Sequence, residues 1–213
     1  MKQYRLTAIL ISALLVLCAI GTASADSFVV YSTGQSVASG RDTQYSIISD
    51  STGEITAPAQ AFVITSIANG WIPGLPGASW IGPAADQSNT TQGGAPVADT
   101  LYRTTFDLTG FDPTTAALSL TLSADDWVDV QLNGVTVYTH SNTSMYFGSD
   151  VASISSNFAA GINTLDFYVH SIGGPTGLVV AASGTATPVP EPASLALLGS
   201  GLAALATRLR RKR

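Results

Sequence analysis

Leu118-Ser119-Leu120-Thr121-Leu122-Ser123, then Ala124-Asp125-Asp126-Trp127, then Val128-Asp129-Val130-Gln131-Leu132-Asn133-Gly134-Val135-Thr136-Val137-Tyr138-Thr139, is the stretch that decides the fold. Apolar and polar residues alternate one by one, the period of a strand with one face buried and one in water. Asn133-Gly134 separates two such runs, and this dipeptide supplies the two positive-φ positions of a tight hairpin. Working outward, residues 28–32, 45–48, 61–67, 101–108, 117–123, 128–132, 135–139, 162–170 and 178–183 are rich in β-branched and aromatic side chains. Clusters of Gly, Pro, Asn, Asp and Ser lie between them, and no segment from 26 to 187 has a helical period. Many short strands without helices predict an all-β chain, folded as a jelly-roll-like β-sandwich.

The two ends follow other rules. Lys2 and Arg5 precede an apolar stretch, 6–20, and Ala23-Ser24-Ala25 then offers an A-x-A cleavage site ahead of Asp26. That order is a secretory signal peptide, 1–25, cut after Ala25. The only cysteine, Cys18, leaves with it; Leu15-Val16-Leu17 before it puts a bulky leucine where a lipoprotein signal needs a small residue. At the far end Val189-Pro190-Glu191-Pro192 is followed by an apolar stretch, 193–207, and by Arg208-Leu209-Arg210-Arg211-Lys212-Arg213. As a helix the apolar stretch is roughly 22 Å long at ~1.5 Å per residue, short of a ~30 Å hydrocarbon core, and snorkelling Thr207 and arginines extend it into a transmembrane helix. Five basic residues in the last six positions keep the C-terminus in the cytoplasm and the preceding domain outside.

These C-terminal residues resemble the PEP-CTERM sorting signal of exported proteins in Gram-negative bacteria that make extracellular polysaccharide. The resemblance covers 188–213: motif 189–192, helix 193–207, basic tail 208–213. It implies that an exosortase, an integral-membrane cysteine transpeptidase-like enzyme, cleaves near Pro190, Glu191 and Pro192. The expected route is export, transient anchoring in the inner membrane with the domain in the periplasm, then the cell surface or extracellular matrix. The two prolines keep that segment extended and without backbone donors, the form a protease-like site grips.

Removing both ends exposes a charge pattern that the whole chain hides. Residues 26–187 hold two basic residues, Arg41 and Arg103, against thirteen acidic ones, a formal charge of −11 where the full chain has −5. Such a surface repels phosphate backbones and excludes nucleic-acid binding, while neutral glycans, divalent cations and cationic partners remain compatible. The segment has no lysine and no cysteine, so Schiff-base chemistry, thiol chemistry and disulfide staples are absent. Its only glutamate, Glu54, sits in a turn-like Ser-Thr-Gly-Glu segment, and neighbours Asp125 and Asp126 on a regular strand would face opposite sides, so no glycosidase carboxylate pair is expected. His140 and His170 lack any catalytic spacing, and the chain reads as non-enzymatic.

A second resemblance spans about 61–186. Ser79-Trp80-Ile81-Gly82-Pro83, the run Tyr102-Arg103-Thr104-Thr105-Phe106-Asp107-Leu108-Thr109-Gly110-Phe111-Asp112-Pro113, and Ala124-Asp125-Asp126 with Leu132-Asn133-Gly134 are part of it. Gly161-Ile162-Asn163-Thr164-Leu165-Asp166-Phe167 and Gly173-Gly174-Pro175-Thr176-Gly177-Leu178 complete it. Together they are similar to galactose-binding-like β-sandwich modules, which implies carbohydrate recognition. Trp71, Trp127 and Tyr146 lie in or beside loops and are the candidate rings for stacking a sugar, with Trp71 equally suited to lid the core. Asp125 and Asp126 are the candidate ligands for Ca2+, a hard cation that takes six to eight oxygens, the alternative being a solvated acidic loop. The expected function is a non-catalytic surface or matrix protein associated with exopolysaccharide. The alternative is an adhesion or structural module that binds protein partners or itself with calcium bridging its loops.

Overall fold

The computed structural model describes residues 24–51, 53, 55–86, 98–189, 199–201 and 208. Residues 1–23 of the signal sequence, with Cys18 and Ala23, Glu54, the Pro190-Glu191-Pro192 motif and most of the apolar and basic tail lie outside the described residues. Ala25–Thr187 form one compact unit; Met1–Ser24 and Pro188–Arg213 form another. In the latter, 199–201 and 208 are helical, and among the described residues no helix is long and apolar enough to cross a membrane.

Among the described residues the first unit has twelve strands and one 3-10 turn, Met145–Phe147. In chain order the strands are β1 Asp26–Phe28, β2 Val37–Ala38, β3 Arg41–Asp50, β4 Ala59–Val63, β5 Ile81–Gly82 and β6 Ala98–Asp107. There follow β7 Phe111–Asp125, β8 Trp127–Leu132, β9 Val135–His140, β10 Asp150–Ile154, β11 Ile162–Ser171 and β12 Gly177–Pro188. Hydrogen bonding runs along β10-β7-β12-β5-β4-β3-β6-β11-β8-β9, with β1 on β12 and β2 on β3. The sandwich is therefore one sheet folded over on itself. One layer is β10, β7 and β12; the short β5 and β4 turn the corner; β3, β6, β11, β8 and β9 make the other layer.

Alternation drives the burial. Leu118, Leu120 and Leu122 of β7, Val128, Val130 and Leu132 of β8, and Leu165, Phe167 and Val169 of β11 meet in one core cluster, almost all of them wholly buried. Each such side chain contributes about 1.5–3 kcal/mol by leaving water. Asn133 and Gly134 both have positive φ, +52° and +80°, as a two-residue hairpin needs. The Asn133 side chain ties that turn to β11, accepting from Thr164 N–H at 2.9 Å and donating to Asn163 Oδ1 at 2.8 Å.

Strand ends define two poles. β7 ends at Asp125 where β8, β12 and β10 begin and where β6 begins beside the end of β11. The loops 64–80, 141–149 and 172–176 gather at this pole. At the opposite pole lie the β8–β9 hairpin, the start of β11, and β1 paired with the end of β12 through Asp26↔Ala186, Ser27↔Thr185 and Phe28↔Gly184.

Candidate functional site

Trp127 opens β8 directly across from His170 on β11, and the register aligns His170 with Asp99 on β6 as well. Odd residues of β8 and even residues of β11 point away from the core, so these side chains share the outer face of the second layer. The indole lies flat on the imidazole, with centroids 5.2 Å apart and planes 18° apart. His170 is itself clamped: Nδ1 is 2.7 Å from Asp99 Oδ1 and Nε2 is 3.2 Å from Asp129 Oδ2. The two carboxylates hold the ring from both of its nitrogens and fix its plane. The half-buried Trp127 is thereby backed by a fixed imidazole plane and rimmed by two carboxylates. Nearby on the same face, Arg103 makes a bidentate pair with Asp166, 2.7 Å at each contact.

Behind this face the other expected residues form a closed network. Trp71 donates from Nε1 to Asp125 Oδ2 at 2.7 Å and packs on Trp80, centroids 4.2 Å apart. Gly177 makes room for it, since a Cβ there would stand 2.8 Å from the Trp71 ring. The peptide joining Asp125 to Asp126 is cis, and the two carboxyl groups hydrogen-bond to each other. Asp126 lies between β7 and β8, so the two are not on one regular strand and the alternation expected there does not apply to them. Both are only 5% exposed. Burial first, then the neighbouring Asp126 charge, pushes the Asp125 carboxyl up to about 8.

This pair also staples the loops of the pole. Asp126 Oδ2 accepts from Ile172 N–H at 2.7 Å, its N–H donates to His170 C=O at 2.7 Å, and its C=O accepts from Met145 N–H at 3.2 Å. Asp125 C=O accepts from Thr176 Oγ1 at 3.0 Å. Asp125 and Asp126, expected as calcium ligands, thus have donors on their oxygens already. Among the described residues no group of three His, Cys, Asp or Glu side chains is arranged to hold a metal ion.

The structure brings Trp71, Tyr146, Asp125 and Asp126 together and turns Trp127 onto the other side of the same corner. Tyr146 accepts from Ile72 N–H through its C=O at 3.0 Å, and its phenol is held above the ordinary range by burial and by the Asp125 and Asp126 charges. Trp71, 8% exposed, presents little more than an edge to solvent. Phe147, absent from the expected set, stands 62% exposed against Tyr146, with centroids 4.4 Å apart. Asp99 and His170 were also outside it as partners of Trp127, because only the pairing of β6, β11 and β8 makes them neighbours.

Residues 188–212 match the PEP-CTERM protein-sorting motif family. The chain carries that motif, and its family match begins on the last residue of β12. No curated protein matches the sequence. Among solved structures the chain is similar to a "Carbohydrate binding module family29", at 14% identity over 81% of this chain and 98% of that one, with a TM-score of 0.37. It is also similar to a family 35 carbohydrate binding module from an environmental isolate, at 13% identity over 71% and 97%, TM-score 0.34. A third is the PA14 sugar-binding domain from an RTX adhesin, at 17% identity over 39% of this chain, TM-score 0.26, where the match spans 45% of that domain's length. The fold assignment rests on the strand order and core described above.

Proposed function

We propose that the protein is an exported, non-catalytic surface or matrix protein that associates with extracellular polysaccharide through Trp127. The signal peptide, 1–25, directs export; residues 26–187 act outside the cell; the C-terminal segment holds the chain in the inner membrane until an exosortase acts at Pro190-Glu191-Pro192. The observation that carries the binding reading is Trp127 lying flat on a doubly clamped His170. A pyranose stacks its C–H face on such an indole, while carboxylates at the rim accept its hydroxyl protons. Trp71 and Tyr146 support this platform from behind by fixing the loops around Asp126.

The experiment is a polysaccharide pull-down with the exported protein, comparing Trp127→Ala with the native chain. Loss of retained polysaccharide, with an unchanged melting temperature, is the expected result. Retention at the native level by Trp127→Ala overturns the assignment of the site. Failure of the native protein to hold any polysaccharide overturns the function.

A further inference from the structure

The opposite pole carries a cleft of about 440 Å³. It arises where the N-terminal segment leaves β12 after Phe28 and crosses toward β3, where Tyr45 Oη donates to Tyr31 C=O at 2.8 Å. The crossing leaves a gap above the outer face of β3, β6 and β11. Its apolar floor is the edge of the core: the buried Phe28 and Phe106 stack with centroids 5.3 Å apart, and the half-buried Phe111 meets Phe28 edge-on at 6.2 Å. Val29 and Ile162 flank it at 66% and 65% exposure, higher than any other large apolar side chain among the described residues.

The polar part is Gln44, Thr105, Tyr31 and Asp107. Among the described residues, the side chains of Gln44, Thr105 and Tyr31 have no hydrogen-bond partner, so an amide, a hydroxyl and a phenol are left for a ligand. Asp107 accepts from Thr109 N–H at 2.7 Å through one carboxylate oxygen. No cationic side chain lines the cleft: Arg103 is taken by Asp166, and Arg41 by Gln60 C=O at 2.6 Å and the Phe62 ring.

We propose that this cleft is a second saccharide site, taking a neutral pyranose chain, at the far end of the sheet that carries Trp127. It rests on the polysaccharide-binding reading above. Apolar walls interleaved with amide and hydroxyl groups match a sugar ring, which has C–H faces and hydroxyl edges; the volume falls within the roughly 300–1,000 Å³ of ligand pockets. A lone carboxylate without a cation rejects uronic and sulfated chains. Ile162 at the cleft and His170 at the Trp127 platform are eight residues apart on β11, a separation of roughly 26 Å at ~3.3 Å per residue. Two sites at that distance let one molecule bridge two polysaccharide strands.

Calorimetric titration of the exported protein with neutral gluco-, manno- and galacto-hexasaccharides, and with an oligouronate as control, tests it. The native chain is expected to take two neutral oligosaccharides per molecule and no oligouronate; Trp127→Ala retains one, and Gln44→Ala/Thr105→Ala retains the other. The cleft variant should weaken its own site about tenfold or more, as loss of two hydrogen bonds predicts. One oligosaccharide per native molecule, lost entirely in Trp127→Ala, overturns the second site and leaves the first standing. Binding of no saccharide at all overturns both.

Discussion

The Asp125 and Asp126 side chains show how a single proton can fix a corner of a fold. Asp125 has a folded-state pKa near 8 against about 4 in the unfolded chain, so the folded protein holds a proton that the unfolded chain releases. The stability this gives is fully present below about pH 4 and is lost as pH rises through 8. Asparagine keeps both the acceptor for Trp71 Nε1 and a donor toward Asp126 without any ionisation. Asp125→Asn is therefore expected to melt near the native temperature at pH 5 and above it at pH 9, with the native curve falling between; differential scanning calorimetry across that range checks it. At this scale the sequence was only partly legible. Alternation correctly put Asp129 and Gln131 on the solvent face, and Trp80 and Phe106 could be read as core from their size and setting. It could not show that Asp126 escapes the pleat, nor that Asp99 and Asp129 reach His170 from two different strands, since both depend on register between distant segments.

At the scale of elements, long strands announced themselves and short ones did not. β7, β8, β9 and β11 carry regular alternation over six or more residues and are visible in the sequence. β10, with five residues, and β5, with two, acquire strand form from their neighbours: β10 from β7, β5 from β4 and β12. β1 is three residues long and depends on one partner, so its contact with β12 is sensitive. Gly184 sits opposite Phe28, and a Cβ there would stand inside the van der Waals shell of the phenyl ring. Gly184→Ala should cost about 1–3 kcal/mol as an overpacked site and should displace Phe28 from the cleft, weakening saccharide binding there while sparing the Trp127 platform. Urea unfolding and the titration described above measure the two effects separately.

At the scale of the whole molecule, charge and sorting divide the chain. Seven of the nine basic residues lie outside 26–187, and that segment is strongly acidic with no lysine. Glu191→Ala is expected to leave the C-terminal segment attached, which mass spectrometry detects as Arg213 retained on a membrane-held product; a processed C-terminus in that variant would remove Glu191 from the recognition reading. The sorting motif was legible from its own residues, and the family match over 188–212 agrees with it. The two poles were not, since they follow from the sheet order. That order has a mechanical consequence. β12 leaves the domain at Pro188, one residue before the segment that begins Val189-Pro190, and its hydrogen bonds to β1 and β7 run across the strand axis. A pull along that axis at the end of β12 loads these bonds together in shear, like a lap joint, whereas a pull across it would unzip them one at a time.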